Sequence, residues 1–157
     1  LAKASHTAPV NIMYPMVIDL HQFQELKKKF EEVCSDIPHQ NVRHGVMFEV
    51  PSACYQAEEI FEAADFGSIG SNDLIQYFSA VDRNNELVAY DFNPDRDAFW
   101  RLLKSLADAS RKTKKPLAVC GEMAGMPNLV AKLKEIGINR VSVSPKLISD
   151  LRRALKK

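Results

Sequence analysis

The chain has no apolar run of about 18 residues and no positively charged leader followed by an apolar core, so neither a membrane span nor a secretory signal is expected. It has little cysteine: Cys34, Cys54 and Cys120 are an odd number without a CxxC spacing, which excludes a disulfide framework and a zinc knuckle and fits reduced thiols in a cytoplasm. It also lacks an excess of either charge. The 21 Lys and Arg balance 20 Asp and Glu to a formal +1, so no strong field invites nucleic acid or an acidic membrane surface. Glycine is sparse, and none follows the first predicted strand at Tyr14, so the phosphate-binding fingerprint of an open dinucleotide-binding sheet is missing. What remains is 157 residues, 46% hydrophobic and 26% charged, the profile of one soluble unit able to bury a core. The opening LAKASHTA, without Met, reads like the tail of a helix and is expected to mark an excised fragment or a processed product.

Strand-like and helix-like patterns alternate along the chain with no linker between them. VNIMYPM (10–16) is a short apolar run closed by Pro15, and Asp19 is suited to cap the helix in which Phe23, Leu26, Phe30 and Val33 recur at helical spacing. GVMFEV is the second strand, followed by one helix over SACYQAEEIFEAA with Ser52 as its cap. DFGSIG is the third strand and NDLIQYFSA a short helix. A polar loop from Asp82 to Asp95 leads to a long helix with an apolar stripe of Phe99, Leu102, Leu103 and Leu106. PLAVCG is the fourth strand, PNLVAKLKEIG a helix with Gly137 past its end, RVSVS a fifth strand, and PKLISDLRRAL a closing helix with Pro145 in its first turn. Near-continuous apolar strands between amphipathic helices imply a parallel sheet covered by helices. A complete (β/α)8 TIM barrel needs eight units and about 250 residues. The expected fold is therefore α/β, a partial TIM barrel of about five parallel units forming a single unit over 1–157.

Three strands end in chemically capable side chains: Glu49 after GVMF, Asn72 and Asp73 after GSIGS, and Cys120 in LAVCG. If the strands are parallel, these residues share the carboxyl-end face, where ligands bind in such folds. Taken singly, each has an ordinary explanation. A strand-end carboxylate more often caps the following helix, SND is a good N-capping sequence, Arg83 lies in a charged loop where most arginines are solvated, and a buried cysteine usually serves as a small apolar group, the reading given to Cys34 and Cys54. The four histidines His6, His21, His39 and His44 have polar neighbours and read as solvent-facing, as do Lys27, Lys28 and Lys29 on the first helix.

Taken together, IMYPM, GVMFEVP, DFGSIGSNDLIQYFSAVDR, AVCGEMAG and RVSVSP resemble consecutive motifs of the phosphoenolpyruvate-utilising enzyme family, most closely its enzyme I branch, the phosphoenolpyruvate-protein phosphotransferases of the bacterial sugar phosphotransferase system. The resemblance runs from about Val10 to the end and covers only the later part of that family's C-terminal barrel domain. Pyruvate phosphate dikinase and phosphoenolpyruvate synthase share several of these motifs, so a fragment of one of those is a further reading.

The resemblance implies roles. Glu49 and Asp73 match the family's metal-binding carboxylates, a donor pair that suits Mg2+. Asn72, Asp73 and Arg83 match residues that contact phosphoenolpyruvate, and Ser71 stands where threonine is more usual. Cys120 matches the acid/base that protonates the methylene carbon of enolpyruvate to give pyruvate, which calls for a thiol with a perturbed pKa. Glu122 is left without a catalytic role. The family's histidine phosphoacceptor domain and earlier barrel strands are absent from this sequence, so the chain alone is expected to be inactive. A phosphocarrier protein would be the partner of a full-length parent. The open sheet edges of a half-barrel lead us to expect a homodimer, and a non-catalytic, self-associating metabolite- or partner-binding module is the alternative of a different class.

Overall fold

A computed structural model describes residues 2–154. Its centre is a four-stranded, all-parallel sheet of β1 (Val10–Tyr14), β2 (Val42–Phe48), β3 (Phe66–Gly70) and β4 (Leu117–Cys120), paired in that order. Sequential order without reversal is what an arc of a barrel requires. A doubly wound sheet would place a switch point between its strands.

The intervening helices are α1 (Leu20–Val33), α2 (Pro51–Tyr55), α3 (Ala57–Ala63), α4 (Ser71–Ser79), α5 (Asp97–Thr113), α6 (Pro127–Glu135) and α7 (Pro145–Ala154). Because successive strand residues face opposite sides, Val46, Phe48, Ile69, Leu117 and Val119 bury themselves against the helices. Met47, Ser68, Ala118 and Cys120 lie on the other, concave face. Met47 pairs with Ser68, Ser68 with Ala118 and Gly70 with Cys120, so this register brings strand ends level at one rim.

Local signals account for most element boundaries. Asp19 caps α1, accepting from the Gln22 amide at 2.7 Å. The α5 stripe of Phe99, Leu102, Leu103 and Leu106 is fully in the core, and the helix stops where Lys114 turns left-handed at φ 58°. Cys34 and Cys54 are both buried, Cys54 within the apolar core, and burial pushes the Cys54 thiol up to about 12.

Several expectations are corrected. The second helix is two, α2 and α3, broken at Gln56, whose side chain accepts from the Leu20 amide at 3.1 Å. Ser52 is not its cap. Val50 stands at that position without a side-chain bond, and the Ser52 hydroxyl donates instead to the Ile18 carbonyl at 2.7 Å. Pro51 in the first turn has no N–H to satisfy, which lowers the demand for a cap. Val33 points away from the core at 82% exposure.

The fifth strand shrinks to one parallel bridge at Val141, whose flanks bond Val119: its amide donates to the Arg140 carbonyl and its carbonyl accepts from the Ser142 amide. One residue past Cys120 the chain turns away at Gly121, φ 95°, leaving no extended partner for Val143. The fifth β/α unit thus survives as a bridge followed by α7, and the partial barrel stands.

The basic run and the histidines are not uniformly solvated. Lys27 donates to the Ala63 carbonyl at 3.0 Å over the Phe23 ring, tying α1 to α3. His44 is buried against Tyr14, Oη to Nδ1 at 3.0 Å, with burial holding its pKa down. Both nitrogens of His39 meet pure acceptors, the Ile37 carbonyl and the Glu31 carboxylate, which raise its pKa and favour the cation. His44 was hidden because a helix-facing strand position is set by register with its neighbours, while its sequence surroundings are polar.

Candidate active site

The rim is assembled from four segments. Glu49 follows β2 directly and is only 6% exposed; its Oε1 accepts from the Met16 amide at 2.7 Å. Met16 adopts φ 53°, uncommon for a residue with a side chain, so the turn after β1 is held in a strained form where its N–H meets this carboxylate. The carboxylate leans over Gly70, where an added Cβ would come within 2.5 Å of Oε2. Burial, with the Asp73 charge adding to it, raises the Glu49 pKa against the lowering effect of the Met16 hydrogen bond.

The segment Ser71, Asn72, Asp73 opens α4 without capping it, since no side chain bonds its first turn. These residues reach across to the β4 loop. The buried Ser71 hydroxyl donates to the Cys120 carbonyl at 2.6 Å, and Asn72 Oδ1 accepts from the Glu122 amide at 2.9 Å. Gly121 is crossed by both contacts and sits against the two side chains. Glu122 therefore enters through its backbone, as a loop-orienting residue. The first-turn amides of α4, together with its dipole, suit an anion.

Asp73 and Arg83 form an ion pair, Oδ1 to Nη1 at 3.5 Å, with both side chains about one-third exposed. The Arg83 amide also donates to Gln76 Oε1 at 3.3 Å, which anchors the loop start to α4. Arg83 is thus brought to the rim by a contact that its loop position did not announce. The Cys120 thiol, half-buried, donates to the Ile69 carbonyl at 3.4 Å and lies 3.7 Å from Met47 Sδ, and the Ser68 hydroxyl donates to it at 3.8 Å. Burial raises its pKa, Glu49 and Asp73 add to the rise, and Ser68 opposes it.

All five sequence-predicted residues, Glu49, Asn72, Asp73, Arg83 and Cys120, therefore occupy the carboxyl-end rim. Met16, Met47, Gly70 and Ser68 were not foreseen. The only sequence signal for Ser68 was a polar residue at the concave parity of an otherwise apolar strand.

Among the described residues no three His, Cys, Asp or Glu side chains cluster as a closed metal site. Two carboxylates close enough that the Asp73 charge adds to the rise of the buried Glu49 pKa suit a hard cation that takes few protein oxygens and completes its shell with substrate and water. Replacing Glu49 by Gln keeps an acceptor for Met16 while removing a buried charge beside Asp73. We expect Glu49→Gln to melt higher than the parent by about 2 °C, the effect of roughly 1 kcal/mol in a chain of this size, read by thermal unfolding at neutral pH. A lower melting temperature would show that the charge itself stabilises the fold.

A parallel half-barrel with paired carboxylates, a guanidinium and a thiol at its strand ends has the layout of an anion-handling enzyme site. Residues 1–157 match the family model described as PEP-utilising enzyme, PEP-binding domain, and the chain belongs to this family. Over 163 residues it is 37% identical to the phosphoenolpyruvate-protein phosphotransferase of Geobacillus stearothermophilus, covering 100% of this chain and 28% of that protein. It is 35% identical to the protein of the same name from Staphylococcus carnosus (strain TM300), covering 99% and 28%. The chain thus spans little more than a quarter of the length of these relatives. Among solved structures, a citrate lyase from Burkholderia xenovorans LB400 superposes with a TM-score of 0.75 at 18% identity, covering 97% of this chain and 50% of that one. RipC from Yersinia pestis does so with a TM-score of 0.68 at 12% identity, covering 94% and 64%. These two likenesses bear on the fold alone.

Proposed function

We propose that this chain is the phosphoenolpyruvate-binding part of a phosphoenolpyruvate-protein phosphotransferase, which passes the substrate's phosphoryl group to a histidine and releases pyruvate. The observation that carries this reading is the meeting of Glu49, the Asp73–Arg83 pair, Asn72 and Cys120 on one rim. Glu49 and Asp73 would hold Mg2+, which when bound supplies positive charge to the substrate's phosphate and to the enolate oxygen.

The residues divide the remaining work. Arg83 offers a planar fork to the phosphate, for which Asp73 serves as its partner in the ligand-free rim. The α4 amides and Asn72 orient the same group. As the phosphoryl group departs, the Cys120 thiol gives its proton to the methylene carbon: the enolate electron pair forms the new C–H bond, the S–H bond breaks, and its pair stays on sulfur. Phosphoryl transfer itself rests on positioning and charge stabilisation. A histidine domain, further strands and a phosphocarrier partner would complete a cytoplasmic, homodimeric parent, and the isolated chain would bind without turnover.

The test is calorimetric titration of the chain with phosphoenolpyruvate, with and without Mg2+, repeated on Asp73→Ala. We expect metal-dependent heat that the variant loses entirely. The heat should also weaken as pH falls through the raised pKa of Glu49, because protonation there removes a ligand charge. Absence of heat in every condition would overturn the reading for this chain and favour a half-barrel that binds something else.

A further inference from the structure

We propose that Ser68 is a positioning residue for the Cys120 thiol, its hydroxyl being the donor that fixes the sulfur and takes up the charge left on it when the proton departs. The inference deepens the function proposed above and rests on it for the proton's destination. The contact itself rests on geometry.

Ser68 sits in the middle of β3, 6% exposed, in a sequence otherwise made of glycine, phenylalanine and isoleucine. A hydroxyl buried on a strand needs a partner. Its side chain points to the concave face between Met47 on β2 and Ala118 on β4, its two register partners, and the polar group it meets there is the Cys120 sulfur at 3.8 Å. The other contacts of that sulfur accept or are neutral: the Ile69 carbonyl at 3.4 Å and the Met47 thioether at 3.7 Å. Among the described residues, Ser68 is the side chain that donates to Cys120.

Two states of the cysteine follow. As a thiol, its S–H bonds the Ile69 carbonyl. As a thiolate, it repels that carbonyl and the Glu49 and Asp73 carboxylates that act on it, and beside the cysteine's own backbone N–H the Ser68 O–H is the side-chain dipole aimed to receive the charge. Loss of this donor leaves a half-buried thiolate with no side-chain donor among the described residues, so the proton is given up less readily and taken back more readily.

The experiment is iodoacetamide alkylation of the whole chain across a pH series, read at the Cys120 peptide by mass spectrometry, for the parent and for Ser68→Ala, Ser68→Val and Ser68→Thr. Cys34 and Cys54 are buried and report loss of fold if they become labelled. Removal of the hydroxyl should move the alkylation midpoint up by about one pH unit, which is about tenfold slower labelling below both midpoints, while Ser68→Thr retains the parental profile. The threonine and valine variants differ by hydroxyl against methyl at matched shape, so their comparison holds even if the alanine variant folds poorly. Unmoved midpoints in Ser68→Ala and Ser68→Val, or a rate change that is uniform across pH, would overturn the proposal, since a purely structural role alters access and not titration. The profile requires no phosphoenolpyruvate. A silent calorimetric titration therefore leaves it readable and removes only the assignment of the proton to enolpyruvate.

Discussion

Gly121→Ala should unfold at markedly lower denaturant than the parent and should lose altogether the metal-dependent phosphoenolpyruvate binding proposed above. Gly121 adopts φ 95° and ψ −174°, a region closed to residues with a side chain, and a Cβ there would lie 2.3 Å from Ser71 Oγ and 2.8 Å from Asn72 Oδ1. Those two atoms make the hydrogen bonds that join α4 to the β4 loop. The methyl group must displace both, and the Ser71 hydroxyl is fully buried, so its bond is not replaced by water. Backbone strain of about 1–3 kcal/mol adds to about 1–3 kcal/mol for the orphaned buried groups, giving a loss on the order of 3 kcal/mol or more. Urea unfolding followed by circular dichroism measures the stability, and calorimetry measures the binding. A variant within about 0.5 kcal/mol of the parent, the range of an unremarkable surface change, would mean that the loop relaxes freely and that the cross-links do not hold the rim.

Phe61→Ala is expected to cost about 3–5 kcal/mol, comparable with the whole stability of a weak domain of this size. Phe61 is fully buried on α3 and its ring centroid lies 5.0 Å from that of Phe48, the last residue of β2. The backbone of Gly67 lies against both rings, where an added Cβ would be 2.8 Å from each, so the cluster is packed without slack. Truncating Phe61 opens a void beneath the residue that precedes Glu49, and the neighbouring backbone collapses only in part. Chemical unfolding should show a reduced midpoint at unchanged slope. The effect on the rim should be indirect: Phe61→Ala weakens binding in proportion to the folded fraction, whereas Gly121→Ala abolishes it even in the folded molecules. A loss below about 1 kcal/mol would indicate that α2 and α3 close over the gap.

The contrast between these two sites explains what was legible beforehand. The Phe61 cluster follows from patterning, because an apolar residue at helical spacing on α3 and an apolar residue at strand parity on β2 both belong inside whatever the topology. The candidate site was legible as a set of residue types at strand ends, and the family motifs gave each a role. Their mutual arrangement was not. SND was a plausible cap by its composition, yet its side chains bridge to β4, because the Gly121 turn brings backbone donors and acceptors within reach that no local rule registers. Ser52 failed as a cap because the helix already begins at Pro51, which puts Val50 at the cap, and the Ser52 hydroxyl donates to the Ile18 carbonyl brought near by β1 packing beside β2.

The amino-acid order by itself determined the alternation of strands and helices, the Asp19 cap, the α5 core stripe, the absence of a dinucleotide fingerprint, and the membership of the phosphoenolpyruvate-utilising family, since each of these is carried by residues close together in the chain or by linear motifs. Tertiary structure alone decided that Arg83 pairs with Asp73, that Met16 holds Glu49 over Gly70, that His44 is buried, that Ser68 faces Cys120, and that the fifth strand is a single bridge. The reason is register. Periodicities of two and of 3.6 residues state which face a side chain takes within its own element, whereas the partner it meets across a parallel sheet is fixed by how neighbouring strands slide and where their loops turn.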